Sequence, residues 1–176
     1  RRLFPGVSVL RWDRDSTRNQ GDYETLLHRF RSGEAQVLVG TQMIAKGLHF
    51  PSVTLVGVVS ADLGLYVPDY RATERTFQLL LQVAGRAGRG QVVGKVIIQT
   101  YQPYNYVIGA ASSQDFPGFY QKEIEYRRQQ GSPPFNRLIR MMYIHTNRSV
   151  CEREAYRVSD QLRRERDSWG YADLEM

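Results

Sequence analysis

The chain has 176 residues, of which 41% are hydrophobic, and a formal net charge of +6 at pH 7. It has no run near the roughly 20 apolar residues of a membrane-spanning helix and no secretory signal at its start, and its one cysteine, Cys151, can form neither an internal disulfide nor a metal cluster. We therefore expect a globular, cytoplasmic protein without a metal site of its own, large enough for one compact domain and part of another.

The basic charge favours a polyanionic partner, because side chains that neutralise phosphates release condensed counterions. Only three of the 24 basic residues are lysines, and the arginine fork matches pairs of phosphate oxygens. A genome with an arginine bias would give the same composition, so charge alone leaves both explanations open.

The first hundred residues alternate apolar runs typical of strands with stretches typical of amphipathic helices. In chain order the pattern predicts a strand over 7–12, a helix over 19–30, strands over 36–40 and 53–60, a helix over 69–84 and a strand over 94–100. The strands over 36–40 and 53–60 are rich in valine, and we expect them to be buried on both sides. This alternation predicts an α/β fold with a parallel sheet and helices on both of its faces.

The composition changes near residue 102. Beyond it the pattern predicts a helix over 115–130, two consecutive prolines that exclude regular structure, a strand over 137–145 and a charged helix over 151–167. One strand and one helix cannot bury a core, so we expect a truncated α+β piece there. The predicted organisation is a first domain over 1–112, a helical linker and Pro-Pro boundary over 113–135, and the start of a second domain over 136–176.

The segment 39–51 leaves the carboxyl end of a predicted strand, where open parallel sheets bind ligands. Gly40 permits close backbone approach, Thr41 can cap a short helix whose amides point at an anion, and Lys46 adds a positive charge. These features favour the binding of a chain of phosphate groups. In the alternative interpretation, Thr41 only caps a helix, Gly47 only turns the chain and Lys46 is solvated.

The segment 82–90 closes an amphipathic helix just before a strand. Arg86 and Arg89 lie on one side of a helical turn, and the three glycines of the segment leave room for a large anion. An arginine delivered to a transferring phosphoryl group stabilises the transition state and contributes roughly 10³ to 10⁵ in rate. A dinucleotide-binding site fits this segment poorly. The glycines of such a site follow a strand and open a helix, whereas these glycines close a helix and precede a strand. In the alternative interpretation, the glycine only ends the helix and the two arginines only lie on the surface.

Together the two segments resemble motifs five and six of the second RecA-like domain of superfamily-two helicases. The amino-acid sequence of several stretches is similar to that of the PriA family of replication-restart helicases. The similarity extends from about residue 3 to 145. The stretches that carry it are Gly40 to Gly47, Ala61 to Leu65, Pro68 to Arg71, Gln82 to Gly90, and Pro133 to Phe135.

The resemblance implies the C-terminal helicase half of an ATP-dependent 3′-5′ DNA helicase. It implies phosphate-facing catalytic roles for Gln82, Arg86 and Arg89, nucleotide contacts for Gly47, His49, Gly85 and Gly88, and DNA contacts for Gly40, Thr41, Gln42 and Lys46. His49 stands where the superfamily often has an aspartate that touches the ribose. Ser132 stands where an aromatic residue is expected before the prolines.

No stretch matches a phosphate-cradling loop, and no acidic pair is placed to hold magnesium. The resemblance implies that ATP and Mg²⁺ bind jointly with a first RecA-like domain outside this sequence, and that zinc belongs only to an upstream region. We therefore expect the chain alone to be inactive as an ATPase.

The implied partners are single-stranded and forked DNA, primosome proteins with the replicative helicase loader, and single-stranded DNA-binding protein. The implied location is the bacterial cytoplasm, at the nucleoid. The alternatives are another superfamily-two helicase or translocase, and a non-catalytic DNA-binding or scaffolding module. Six aromatic side chains could stack on bases, but domain packing is the preferred interpretation for them: Tyr101, Tyr104, Tyr106, Phe116, Phe119 and Tyr120.

Overall fold

A computed structural model describes residues 5–13, 20–45, 50, 52–85 and 94–170. In chain order the elements are strand β1 (Val9–Trp12), helix α1 (Gln20–Arg31), strand β2 (Val37–Gly40), 3₁₀ helix η1 (Gln42–Ala45), strand β3 (Leu55–Val58), 3₁₀ helix η2 (Ala61–Gly64), helix α2 (Ala72–Ala84), strand β4 (Lys95–Ile98), and helices α3 (Tyr106–Ser113), α4 (Phe116–Gln129) and α5 (Arg148–Trp169).

The described strands pair in parallel, as the alternating pattern predicts. β1 runs beside β2, with Val9 opposite Val37, and the intervening α1 makes the crossover between them. β3 runs beside β4, with Leu55 opposite Lys95, and α2 makes that crossover. The α/β class and the parallel pairing are therefore confirmed, and within the described residues the ladders are two separate pairs.

A first core forms around Trp12, whose side chain is fully buried. Phe50 joins it, and partly buried side chains of α1 pack against both residues. The ring of Phe30 meets the ring of Phe50 edge to face, with centroids 5.0 Å apart, a favoured aromatic geometry. This core holds α1 against the β1–β2 pair.

A second core lies between α2, α3 and α4. Phe77, Leu80, Val107 and Phe119 are all at most 3% exposed. The rings of Phe77 and Phe119 stack with centroids 4.0 Å apart. Phe77 and Leu80 belong to the apolar face predicted for the helix over 69–84, so that face is confirmed as a core face.

The prediction that the middle strands are buried on both sides is wrong. Val39 is 53% exposed in β2, Leu55 is 57% exposed in β3, and Val59 just beyond β3 is 78% exposed. Successive strand side chains point to opposite faces, and the described residues cover only one face of each pair. A valine-rich run identifies a strand but does not show what lies on its second face.

The helix predicted over 115–130 is confirmed as α4. The side chain of Asp115 caps its first turn by accepting a hydrogen bond from the Gly118 amide at 2.9 Å. α4 contributes Phe119 to the second core. The chain divides into two compact units, at 1–136 and 137–176, so α4 belongs to the first unit.

The strand predicted over 137–145 is wrong, since no strand occurs in those residues. A strand needs a neighbour for its backbone N–H and C=O groups, and none of the described residues pairs with this segment. The helix predicted over 151–167 is confirmed as the longer α5, which begins after the capping side chain of Asn147 and contains no buried residue. The second unit therefore has no core of its own within the described residues.

Candidate nucleotide and nucleic-acid site

The structure describes part of each predicted motif. Six of the predicted site residues lie outside the described residues: Lys46, Gly47, His49, Arg86, Gly88 and Arg89. The described members are Gly40, Thr41 and Gln42 at the end of β2, and Gln82 and Gly85 at the end of α2. The geometry of the site is therefore built from these five residues and from the elements that hold them.

Gly40 has a packing role that sequence reasoning did not identify. A Cβ atom at this position would overlap the backbone carbonyl oxygen of Trp12 and the side chain of Ile44. β1 and η1 thus approach the Gly40 backbone so closely that no side chain fits. The close approach expected for a ligand is made in this structure by the protein itself.

Thr41 and Gln42 follow β2 directly, and both are exposed. The backbone carbonyl of Thr41 accepts from the Ile44 amide at 3.1 Å, which begins the turn of η1. The partly buried Ile44 packs against the first core and so anchors η1. The two side chains at the carboxyl end of β2 are therefore held on an anchored turn and remain accessible.

Gln82 lies exposed in the last turn of α2, and Gly85 follows that helix. The Gly85 amide donates to the Leu81 carbonyl at 2.9 Å, and its φ of −70° is right-handed. α2 ends at Gly85, and this glycine does not adopt the left-handed conformation in which many helices end.

The two motifs are joined through α2. The 3₁₀ helix η1, which carries Gln42, contacts α2, which carries Gln82. The elements of both motifs therefore lie against each other in the first unit, although Gln42 and Gln82 are 40 positions apart in the sequence.

Asp62 is a buried carboxylate that sequence reasoning recorded only as part of a motif. It is 4% exposed and accepts from the Thr100 hydroxyl at 2.7 Å and from the Tyr101 amide at 3.1 Å. The hydrogen bond from Thr100 is the main reason that the pKa of Asp62 lies below its ordinary value. Asp62 thereby ties the loop after β3 to the loop after β4. An acidic residue two positions after the valine-rich run over 53–60 was the available signal.

Asp69 organises the start of α2. It accepts from the Arg71 amide at 2.9 Å and from the Arg75 guanidinium at 2.8 Å. The Arg71 amide is the main cause that lowers the pKa of Asp69, and both arginines add to it. This fixes the entry into the helix whose far end carries Gln82 and Gly85.

The aromatic cluster divides into packed and exposed members. Phe119 is buried, and Tyr106 is half-buried, stacking on Phe119 with centroids 6.1 Å apart. Burial, with a hydrogen bond to Glu123, raises the pKa of Tyr106. Tyr101 and Tyr104 are 87% and 99% exposed. The packing interpretation is confirmed for Phe119 and Tyr106, and it stays a prediction for Tyr101 and Tyr104, which are exposed within the described part of the chain.

The described ranges contain neither a helix that could span a membrane nor a cluster of metal-binding side chains. Among the helices that the structure describes, none combines the length and apolar character needed to cross a bilayer. The same residues include no group of three or more His, Cys, Asp or Glu side chains placed to hold a metal ion.

Comparison with known proteins identifies the family. The helicase conserved C-terminal domain matches residues 5–91. Replication restart protein PriA of Chlamydia muridarum is 47% identical over 166 residues, which cover 94% of this chain and 22% of the relative. The PriA protein of Bacillus subtilis is 53% identical over 134 residues, which cover 76% of this chain and 17% of the relative.

The chain is also similar to the solved C-terminal domain of the DEAD-box protein Dbp5, at 20% identity and a TM-score of 0.43, over 71% of this chain and 69% of that one. The chain spans about a fifth of the length of the curated relatives that it matches. On the sequence matches, the chain belongs to the PriA family of replication restart proteins.

Proposed function

We propose that this chain is the second motor domain, with the start of the domain that follows it, of an ATP-dependent 3′-5′ DNA helicase that acts in replication restart. The helicase conserved C-terminal domain and the similarity to PriA proteins support this function. The observation that carries it is the contact between η1 and α2, because it joins the segment expected to hold DNA to the helix expected to face ATP.

In the proposed site, Gln82, Arg86 and Arg89 face the phosphates of ATP. Gly47, His49, Gly85 and Gly88 line the nucleotide, and Gly40, Thr41, Gln42 and Lys46 lie along the DNA backbone. In this proposal ATP and Mg²⁺ bind jointly with residues outside this chain. The chain supplies the arginine-bearing surface, and the residues outside it supply the magnesium ligands. The exposure of Thr41, Gln42 and Gln82 supports the proposal, since each can be reached by a ligand.

The proposed mechanism is a rigid-body movement. When ATP draws the phosphate-facing end of α2 into a cleft, η1 moves with it, because η1 rests on α2 and is anchored in the first core. Alternate closing and opening would advance the Thr41 surface along a DNA strand. The expected partners are single-stranded and forked DNA, primosome proteins with the replicative helicase loader, and single-stranded DNA-binding protein, in the bacterial cytoplasm.

The test is DNA-stimulated ATP hydrolysis by the full-length protein, with Arg89→Ala compared with the natural sequence. We expect turnover to fall by about 10³-fold or more while DNA binding is retained. Arg164→Ala, on the exposed face of α5, is the matched control and should keep normal turnover. Unchanged turnover in Arg89→Ala would favour the scaffolding alternative, in which DNA affinity falls steeply with salt and does not depend on nucleotide.

A further inference from the structure

Arg127 on α4 joins two helices of the first unit. Its side chain is only 13% exposed, its Nη2 donates to Glu74 at 2.8 Å and its Nε donates to Glu123 at 2.8 Å. Glu74 lies in the first turn of α2, so one guanidinium bridges α2 and α4. The Tyr70 ring, just before α2, lies with its centroid 5.4 Å from Arg127 Cζ.

Glu123 accepts further hydrogen bonds beside Arg127. It is 5% exposed and accepts from the hydroxyls of Thr73 on α2, at 2.9 Å, and Tyr106 on α3, at 2.7 Å. A carboxylate buried this deeply requires compensation by hydrogen bonds and a counterion. Arg127 is that counterion, and the arrangement fixes α2, α3 and α4 at a single point.

The position of this cluster relates it to the candidate site. Gln82 lies eight residues after Glu74 on the same helix, which is about 12 Å at the α-helical rise. A helix is stiff over this length, so a constraint on its first turns sets the position of its last turn. We infer that Arg127 is a positioning residue for the candidate nucleotide site, acting through α2 on Gln82 and Gly85. The inference takes from the proposed function only that this end of α2 faces phosphates.

Arg127→Lys is the informative substitution. It keeps the positive charge beside Glu123, but a compact ammonium cannot reproduce the planar fork that reaches both carboxylates. Arg127→Gln would leave a buried carboxylate without a counterion, so it serves only as a folding control. Arg128→Lys is the matched control, because Arg128 is adjacent on α4, is 62% exposed and pairs with the half-exposed Glu125.

The first measurement is steady-state ATP turnover by the full-length protein with saturating single-stranded DNA. We expect Arg127→Lys to lower kcat by about tenfold, with the KM for ATP and the nucleotide-free DNA affinity within about twofold, because a displacement near 1 Å can cost up to about 10²-fold in rate. Arg128→Lys should match the natural protein. An unchanged kcat in a folded Arg127→Lys protein, as judged by circular dichroism, would overturn the inference.

The second measurement does not depend on ATP turnover. Amide hydrogen exchange at residues 82–85 should be at least about threefold faster in Arg127→Lys than in Arg128→Lys. If the natural protein shows no DNA-stimulated turnover, the proposed function fails and the exchange result decides the inference alone. Faster exchange then supports the positioning role, and equal exchange in the two variants overturns it.

Discussion

Thr100 donates from its hydroxyl to the buried carboxylate of Asp62 at 2.7 Å, across 38 residues of sequence. The hydrogen bond joins the segments that leave β3 and β4, which are neighbouring parallel strands. The same carboxylate accepts from the Tyr101 amide, so one side chain satisfies donors from both the main chain and a side chain. The carboxyl ends of the two strands are thereby held together by polar contacts.

Asp62→Asn tests this link through its pH dependence. A carboxyl group whose folded pKa lies below its ordinary value of 3.8 stabilises the fold above that pH and loses its contribution as the pH falls through the folded pKa. We expect a lower urea midpoint for Asp62→Asn at pH 7 and pH 5, with the difference from the natural chain shrinking only below about pH 3.8. Urea unfolding followed by circular dichroism measures it. Asp160→Asn on the exposed face of α5 is the control, and a pH-independent difference would contradict the assignment.

Gly40→Ala tests the packing role assigned to that glycine. The added Cβ would overlap the Trp12 carbonyl and Ile44, and overpacking of this kind costs about 1–3 kcal/mol. The matched control is Gly57→Ala within β3, where an added Cβ meets nothing within 4 Å and stability should hold or rise slightly. The free energy of unfolding in urea measures both. A stable Gly40→Ala protein that fails to bind DNA would contradict the packing role and support a ligand-facing role for Gly40.

Phe119→Ala and Tyr104→Ala separate the two kinds of aromatic residue. Phe119 is 3% exposed and stacks on Phe77, so its truncation should cost about 3–5 kcal/mol. Tyr104 is 99% exposed, and its truncation should change stability by no more than about 0.5 kcal/mol. Thermal unfolding of the two variants compares them directly. Equal losses would mean that Tyr104 packs in solution.

Thr41→Ala in the full-length protein tests the proposed DNA contact. A hydrogen bond to a charged group contributes about 1.5–3 kcal/mol, so the DNA concentration for half-maximal stimulation of ATP turnover should rise by about tenfold or more. Thr54→Ala, an exposed threonine just before β3, should leave it unchanged. Titrating single-stranded DNA in an ATPase assay measures the shift. If this DNA concentration is unchanged in Thr41→Ala, the proposed contact between Thr41 and DNA is contradicted.

Helices α1, α2, α4 and α5 could be predicted from the sequence because their signals are local, whereas the short helix α3 was not predicted. The 3.6-residue period of apolar side chains and the capping residue are both visible within one or two turns, as at Asp115 and α4. Strand formation depends on partners elsewhere in the chain. For that reason the run over 137–145 was predicted as a strand, although no described residue pairs with it.

The candidate site shows the same difference between local signals and contacts that are distant in sequence. The motif residues at 40–42 and 82–89 could be proposed from the sequence because their spacing along the chain is distinctive. Asp62 and Arg127 were missed because their roles depend on contacts between residues far apart in sequence, such as the 53 residues that separate Glu74 from Arg127. The packing requirement at Gly40 was also hidden, since it depends on the carbonyl of a neighbouring strand.

The absence of buried residues from α5 determines how this chain should melt. Cooperative unfolding requires side chains that lose their packing together, and among the described residues the two apolar clusters both lie in the unit that ends at residue 136. The heat-absorption peak of the 176-residue chain should therefore report on that unit alone, while the helicity of α5 declines gradually with temperature, as in an isolated peptide.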